Sequence, residues 1–249
     1  MRGLLAVLLV GIVGCGGGSS SPAQTADADP VAALKKLGAK IERNEQGVVV
    51  EVSMTGGYGS QITDAGLVHL KGLTELQDLD LYGTKITDAG LVHLKGLTNL
   101  QTLNLSFNKI TDLGLGHLKG MTKLETLSLE RTKITDAGLA HLKGMTKLQN
   151  LTIGITRITD AGLVHLKGLV NLQELYVGGT KITDAGLVHL KGLTGLQTFY
   201  LGKTQITDAG LVHLKGLTSL VFLFLSETQI TDAGIADLKM ALPDCKIYK

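Results

Sequence analysis

The segment ITDAGLVHLKGLTNLQTLNLSFNK, residues 86–109, decides the fold because near-copies of it follow one another along the chain. Its first residue, Ile86, returns every 24 residues. All seven histidines keep the same interval, at His69, His93, His117, His141, His165, His189 and His213. A fixed period of roughly 20–30 residues predicts a solenoid, in which stacked units bury an apolar face that no single unit can bury alone.

Each unit divides into a strand and a helical segment. Residues 100–105 alternate apolar and polar side chains, which predicts a short strand with one buried face. The stretch before it predicts a short helix that begins at Thr87, has Asp88 in its first turn and ends at Gly96. Strand and helix would therefore alternate through the whole repeat region.

The pattern Leu100-x-x-Leu103-x-Leu105-x-x-Asn108, with Thr-Asp-Ala-Gly-Leu before it, resembles leucine-rich repeat proteins of the 24-residue Thr-Asp-Ala-Gly-Leu subtype. The resemblance covers residues 50–249. It implies an α/β leucine-rich repeat solenoid, right-handed, with a parallel β-sheet on the concave face and short helices on the convex face. The other units place a threonine where Asn108 stands, at Thr84, Thr132, Thr156, Thr180, Thr204 and Thr228.

The ends of the repeat array need caps that shield the leucines of the terminal units. Residues 31–60 predict an N-terminal cap, with a helix that starts at Asp29-Pro30 and a hairpin of residues 40–43 and 48–54. The repeats would occupy residues 61–240, and residues 241–249 would form a C-terminal cap strand. Cys245 is expected to be buried there as a small apolar side chain.

The first residues are typical of a secretory leader. Residues 4–13 form an apolar run too short to span a bilayer, and residues 1–14 are predicted to be a signal peptide. Ile12-Val13-Gly14-Cys15 resembles the lipobox of bacterial lipoproteins, which implies a lipid on Cys15, a flexible linker over residues 15–30 and a cell-envelope location facing the periplasm or the outside. The alternative is an ordinary signal peptide, or an unprocessed N-terminus, with an incidental cysteine.

Charge and motifs exclude several functions. With 24 basic and 22 acidic residues the formal net charge is +2, so the sequence predicts no nucleic-acid partner. No nucleotide, hydrolase or zinc-protease motif is present, so we expect no enzyme, no cofactor and no metal. The recurring aspartates and histidines, such as Asp88 and His93, are interpreted as solvated convex residues; the alternative for the histidines is a metal-binding ladder.

The positions that the repeat leaves free indicate where binding occurs. Side chains between the strand leucines point to solvent, and the central position becomes aromatic toward the C-terminus. The predicted ligand-binding residues are Tyr176, Tyr200, Phe222, Phe224 and Tyr248. The alternative is a row of rings that stabilises itself or is covered by the C-terminal cap.

A second series lies between each strand and the next helix, at Lys85, Lys109, Lys133, Arg157, Lys181, Gln205 and Gln229. These cations could accept a phosphate or an acidic polysaccharide. The alternative is that the neighbouring aspartates compensate them in solvated loops.

These observations predict a monomeric, non-catalytic binding module that recognises a protein or peptide through its concave face and is held at a membrane through Cys15. One alternative is a structural or polysaccharide-binding protein of the cell envelope. A second alternative is an enzyme whose site uses unrepeated residues such as Glu130 and Arg131.

Overall fold

Ten strands form one sheet and follow one another in chain order. The computed structural model describes residues 29–55 and 62–249. The strands are β1 Lys40–Arg43, β2 Val49–Ser53, β3 Asp78–Asp80, β4 Thr102–Asn104, β5 Thr126–Ser128, β6 Asn150–Thr152, β7 Glu174–Tyr176, β8 Thr198–Tyr200, β9 Phe222–Phe224 and β10 Lys246–Tyr248.

Short helical segments connect the strands. The α-helices are α1 Pro30–Lys36, α2 Asp88–Leu91, α3 Asp112–Leu115, α4 Asp136–Leu139, α5 Asp160–Leu163, α6 Asp184–Leu187 and α7 Asp232–Ala241. The 3₁₀ segments are Asp64–Leu70, Val92–Leu94, Gly116–Leu118, Ala140–Leu142, Val164–Leu166, Val188–Leu190 and Asp208–His213. None of these described helices has the length and apolar character that crossing a bilayer requires.

The leucines of successive units meet in one continuous core. Leu79 pairs with Leu103 and Leu103 with Leu127 across neighbouring parallel strands, so each strand is displaced from the last by one whole unit. The middle residue of every strand from β3 to β9 is buried, with Phe199 in place of leucine in β8. The leucine-rich repeat solenoid predicted from the sequence is confirmed, with the parallel sheet on its concave face and the helices on its convex face.

The helical part of a unit is tighter than the single helix that the sequence predicts. After one α-helical turn, Asp88–Leu91, the chain changes to a 3₁₀ turn at Val92–Leu94. A 3₁₀ helix has three residues per turn. The leucines of this segment also recur every three residues, so Leu91, Leu94 and Leu97 all face the core and are buried.

The repeated aspartates clamp neighbouring units together. Asp88 Oδ1 accepts a hydrogen bond from the backbone N–H of Thr111 (2.8 Å), and Asp88 Oδ2 accepts one from the Thr111 hydroxyl (2.5 Å). The described residues contain seven such pairs, Asp64–Thr87, Asp88–Thr111, Asp112–Thr135, Asp136–Thr159, Asp160–Thr183, Asp184–Thr207 and Asp208–Thr231. The prediction that these aspartates are solvated repeat residues is therefore wrong.

The glycine of each Thr-Asp-Ala-Gly-Leu segment makes room for this clamp. A Cβ atom added to Gly114 would collide with Asp88 Oδ1, and the same contact recurs at Gly138 with Asp112. Glycine is therefore required at this position because the carboxylate of the preceding unit occupies the space of a side chain.

The polar residue after each strand from β3 to β9 closes the bend. The Thr132 hydroxyl donates to Leu129 O (2.7 Å), which satisfies one carbonyl. The amide of Asn108 donates to three carbonyls, those of Leu81, Leu105 and Ser106. Threonine thus performs part of the role that asparagine performs at residue 108.

Both ends carry caps, although their bounds differ from those predicted. The N-terminal hairpin forms between β1 and β2, and Asp29 caps α1 by accepting a hydrogen bond from Val31 N. At the other end α7 continues to Ala241, so the last strand begins at Lys246 rather than near residue 241. The predicted signal peptide, Cys15 and almost all of the linker lie outside the described residues, as do residues 56–60 of the predicted cap and residue 61, the first of the predicted repeats.

Candidate binding surface

The outward side chains of neighbouring strands fall into rows because the strands pair one unit apart. Tyr176 pairs with Tyr200, Tyr200 with Phe224 and Phe224 with Tyr248. The same row begins with small polar residues in the first four repeat strands, at Asp80, Asn104, Ser128 and Thr152. The concave face therefore has a polar half and an aromatic half.

Four of the predicted binding residues, Tyr176, Tyr200, Phe224 and Tyr248, stack into what we call the aromatic ladder. The ring centroids of Tyr176 and Tyr200 are 5.3 Å apart with a tilt of 43°. Tyr200 and Phe224 stack at 4.3 Å and 4°, and Phe224 and Tyr248 stack at 4.8 Å and 10°. The first three side chains are half-buried and Tyr248 is 44% exposed.

The C-terminal cap extends this ladder instead of covering it. β10 pairs in parallel with β9, which places Tyr248 next to Phe224 as the last ring. The alternative that the cap covers the rings is therefore wrong. The alternative that the rings stabilise only one another stays open on geometry alone.

Phe222 occupies the neighbouring row, not the ladder. It lies two residues before Phe224 in β9, so both side chains point to the same face of the sheet. The ammonium of Lys246 lies over its ring, 5.6 Å from the centroid. The structure thus brings four of the five predicted residues together and places the fifth beside them with a cation above it.

The sequence analysis missed three glycines that border the ladder. A Cβ atom at Gly154 would collide with the ring of Tyr176, which lies across that residue. Gly178 and Gly202 follow at the same position of the next units and line a shallow pocket of about 240 Å³ together with Tyr176, Tyr200 and Phe224. The signal in the sequence was that glycine stands at this position in three successive units, 24 residues apart. The other units place Tyr82, Ser106, Glu130 and Ser226 there.

The ionisable groups of the two halves differ. Burial, reinforced by nearby Glu130, raises the pKa of the Tyr176 phenol, while Lys203 and Arg131 oppose the shift. At the far end, burial and the surrounding carboxylates of Glu42, Asp78 and Asp80 raise the pKa of Glu51. The aromatic half therefore keeps its phenol protonated at neutral pH, and the opposite half concentrates carboxylates.

A turn with left-handed backbone follows each strand. The third residue after each strand from β3 to β9 has φ between 52° and 70°. It is glycine at Gly83 and Gly179 and a residue with a side chain at Phe107, Arg131, Ile155, Lys203 and Glu227. Such a conformation is uncommon for residues other than glycine and is a genuine outlier for a β-branched residue such as Ile155.

The predicted compensation of the neighbouring cations by aspartates is not found. Lys85, Lys109, Lys133, Arg157 and Lys181 are exposed. None of the five forms a salt bridge with any residue in the described ranges. The nearby aspartates instead use both carboxylate oxygens in the clamps between units.

The histidines are half-buried, so they are less solvated than the sequence predicts. In five units the residue before the histidine is an exposed valine, at Val68, Val92, Val164, Val188 and Val212. His141 lies beside Gly116 of the preceding unit. Burial, with Lys119 next in effect, lowers its pKa, while Asp112 opposes the shift. No group of three or more His, Cys, Asp or Glu side chains within residues 29–55 and 62–249 is placed to hold a metal.

Of the two cysteines, the described residues include Cys245. Its side chain is buried, as the sequence predicts, and burial raises the pKa of its thiol. It therefore contributes to packing at the C-terminal end of the core.

Three solved structures share this architecture. An internalin C2 from Listeria monocytogenes has 28% identity and a TM-score of 0.64, covering 88% of this chain and 92% of its own. An internalin, inlF, from the same species has 27% identity and a TM-score of 0.57, covering 74% and 56%. A plant peptide hormone receptor, RGFR1, in complex with RGF2, has 16% identity and a TM-score of 0.53, covering 84% and 36%, which shows the fold alone.

No curated protein sequence matches the chain. The family model described as leucine rich repeat matches residues 74–134, 98–158 and 170–230, which together make up more than half of the sequence. The strand register, the buried leucines and this match agree, and the chain belongs to the leucine-rich repeat family.

Proposed function

We propose that this protein is a non-catalytic binding module that recognises a protein or peptide segment through the aromatic ladder. Leucine-rich repeat domains are typically modules for recognition between proteins. The observation that carries the proposal is the row of four aromatic rings in contact on the concave face, three of them stacked and the fourth tilted. Aromatic side chains dominate the binding energy of many protein interfaces, and a row of them supplies several adjacent contacts.

The fold itself does not require these rings. Asn104, Ser128 and Thr152 occupy the same row in other units, and their strands pair in the same register. Partly exposed aromatic residues cost hydration free energy that small polar residues do not. Binding accounts for their presence in one half of the row.

The stacking geometry favours a peptide over a sugar. Sugars commonly dock flat against the face of an aromatic ring, but Tyr200 and Tyr248 cover the two faces of Phe224. The ladder therefore presents ring edges and tyrosine hydroxyls to the solvent. Ring edges carry partial positive charge, which suits apolar side chains and carbonyl oxygens of a polypeptide.

The test compares two double variants of the full chain, crosslinked to its partners on intact cells. Tyr200→Ser/Phe224→Ser removes the centre of the ladder, and we expect capture to fall at least about tenfold. Asn104→Ser/Thr152→Ser changes the polar half of the same row and is expected to leave capture unchanged.

Equal capture by the folded ladder variant would reject the ladder as the site. Salt-sensitive binding to isolated wall material, equal for both variants, would instead support the polysaccharide-binding alternative.

We also propose that the protein is a lipoprotein of the cell envelope, attached through Cys15. The proposal is supported by the apolar leader and the Ile12-Val13-Gly14-Cys15 sequence that resembles a lipobox. A Cys15→Ser variant is expected to lose both membrane association and incorporation of labelled palmitate. Retention of the label would show that the lipid is attached elsewhere.

The enzyme alternative has little geometric support. Arg131 lies over the Phe107 ring, 5.2 Å from the centroid, and the Glu130 backbone N–H donates to the Ser106 hydroxyl. Arg131 is exposed, whereas catalytic groups usually converge in one enclosed pocket. A turnover screen that found activity abolished by Glu130→Gln would reverse this assignment.

A further inference from the structure

Tyr82, Phe107, Arg131 and Ile155 form a second cluster at the strand-to-helix edge, which we call the edge patch. The rings of Tyr82 and Phe107 are 4.8 Å apart, and the Arg131 guanidinium lies 5.2 Å from the Phe107 centroid. Tyr82, Phe107 and Ile155 are 39%, 37% and 38% exposed. The patch belongs to the first four repeat units, whereas the aromatic ladder belongs to the last four.

Three members of the patch occupy unfavourable backbone. Phe107, Arg131 and Ile155 have φ of 60°, 52° and 52°. Gly83 and Gly179 show that the fold accepts glycine at this position, where glycine has no steric penalty. Lys203 and Glu227 also have positive φ and pair with each other, whereas Phe107, Arg131 and Ile155 place an aromatic, a cationic and an apolar side chain on successive units. Residues held in strained backbone commonly cluster at functional sites.

Exposed cations flank the patch from Phe107 to Ile155, whereas at its other end Asp80 accepts a hydrogen bond from the Tyr82 backbone N–H (3.0 Å). Lys109, Lys133 and Arg157 flank it, are exposed and form no salt bridge within the described residues. Arg131 likewise has its ring contact but no carboxylate partner among those residues. The nearby carboxylate of Glu130 is half-buried and offsets one of these charges.

We infer that the edge patch is a second interaction surface, which binds a protein segment that carries carboxylates next to apolar side chains. The acidic groups would pair with Arg131 and its neighbouring cations, and the apolar groups would pack on Tyr82, Phe107 and Ile155. Four strands span about 14 Å, which is the length of about four or five extended residues. The inference does not depend on the aromatic ladder.

The probe is a fluorescein-labelled random copolymer of glutamate and tyrosine, titrated with the full chain and followed by anisotropy. Phe107→Gly/Arg131→Gly/Ile155→Gly removes the patch, and we expect the affinity to fall at least about tenfold. Because glycine suits left-handed backbone, the thermal midpoint is expected to stay within a few degrees of the parent. Loss of binding would then not reflect unfolding.

A matched control changes the same backbone position away from the patch. Lys203→Gly/Glu227→Gly is expected to leave the affinity unchanged, because this exposed ion pair lies in the last units. Tyr200→Ser/Phe224→Ser tests separately whether the copolymer binds to the aromatic ladder. Loss of binding in the ladder variant alone would support the proposed function and overturn the edge patch as the site of this probe.

Two further probes separate a protein partner from simple charge attraction. Polyglutamate and dextran sulfate have the negative charge without the apolar side chains, so we expect both to bind at least about tenfold more weakly than the copolymer. Equal affinity for all three probes would overturn the inference, as would equal affinity of parent and patch variant. Absence of saturable copolymer binding to the parent would overturn it too.

Discussion

Two series of side chains run along the stacking direction of the solenoid, and they differ in how many units they include. The Asp–Thr clamps join every pair of neighbouring repeat units from Asp64 to Thr231. The aromatic ladder spans only the last four strands, from Tyr176 to Tyr248. A series present in every unit serves the scaffold, whereas a series confined to a few units is free to serve recognition.

The two series also differ in the number of residues that each step needs. A clamp needs an aspartate in one unit with a threonine and a glycine in the next, as at Asp112, Thr135 and Gly138. A step of the ladder needs one aromatic residue at one outward position. Changes in the clamps should therefore reduce stability more than changes in the ladder.

The largest effect is expected for Gly138→Ala. The new methyl group would collide with Asp112 Oδ1, so the carboxylate would leave Thr135 or the two units would separate. Overpacking of this kind costs roughly 1–3 kcal/mol, and the lost hydrogen bonds place this variant at the upper end. Urea denaturation of the variant and the parent measures the difference in the free energy of unfolding.

Gly144→Ala is the matched control. Gly144 lies in the same unit, but an added Cβ would meet no atom within 4 Å. The free energy of unfolding should change by less than about 0.5 kcal/mol. If both variants lost the same free energy of unfolding, the glycines would be needed for backbone flexibility and not for the clamp.

Tyr200→Ser should have a smaller effect on stability. It removes the ring contacts with Tyr176 and Phe224, and aromatic pairs contribute roughly 0.5–1.5 kcal/mol each beyond the area that they bury. Because the ring is half-buried, we expect both pairs to contribute at the lower end of this range, so that Tyr200→Ser lowers the free energy of unfolding by about 1–2 kcal/mol in total. The same urea measurement on Thr152→Ser, in the polar half, should show almost no change in the free energy of unfolding. If Tyr200→Ser lost more stability than Gly138→Ala, the distinction between clamps and ladder would be wrong.

The comparison also explains what the sequence could predict. The 24-residue interval was sufficient to predict the strand register, and the register placed Tyr176, Tyr200 and Phe224 in one row. Alternation along the strand then decided which side chains face solvent. Properties that follow from period and alternation were therefore accessible without coordinates.

Properties that depend on contacts between side chains of different units could not be predicted from the sequence. Asp88 and Thr111 are 23 residues apart, and the pattern of one unit contains no sign that they bond. Asp88 was interpreted from its own helix, where an acidic residue near the first turn is favourable. The half-burial of the histidines was missed for a related reason, since it depends on the 3₁₀ turn and on the neighbouring unit.

The smallest expected effect is a loss of stability at low pH that arises at the last clamp, between Asp208 and Thr231. Hydrogen bonds from the Thr231 hydroxyl and N–H hold the pKa of Asp208 below its ordinary value of 3.8. The unfolded chain therefore binds this proton more readily than the folded chain does. The stability that the clamp supplies is complete above the unfolded pKa and is lost as pH falls through the folded one.

The stability of the Asp208→Asn variant should accordingly fall furthest below that of the parent at about pH 6. The difference in stability should shrink progressively below about pH 4, as measured by thermal unfolding across that range. Asp244→Asn, at an exposed aspartate outside the clamps, is the control substitution measured over the same pH range. A gap between the Asp208→Asn variant and the parent that stays constant with pH would show that this clamp contributes through the shape of the side chain and not through its charge.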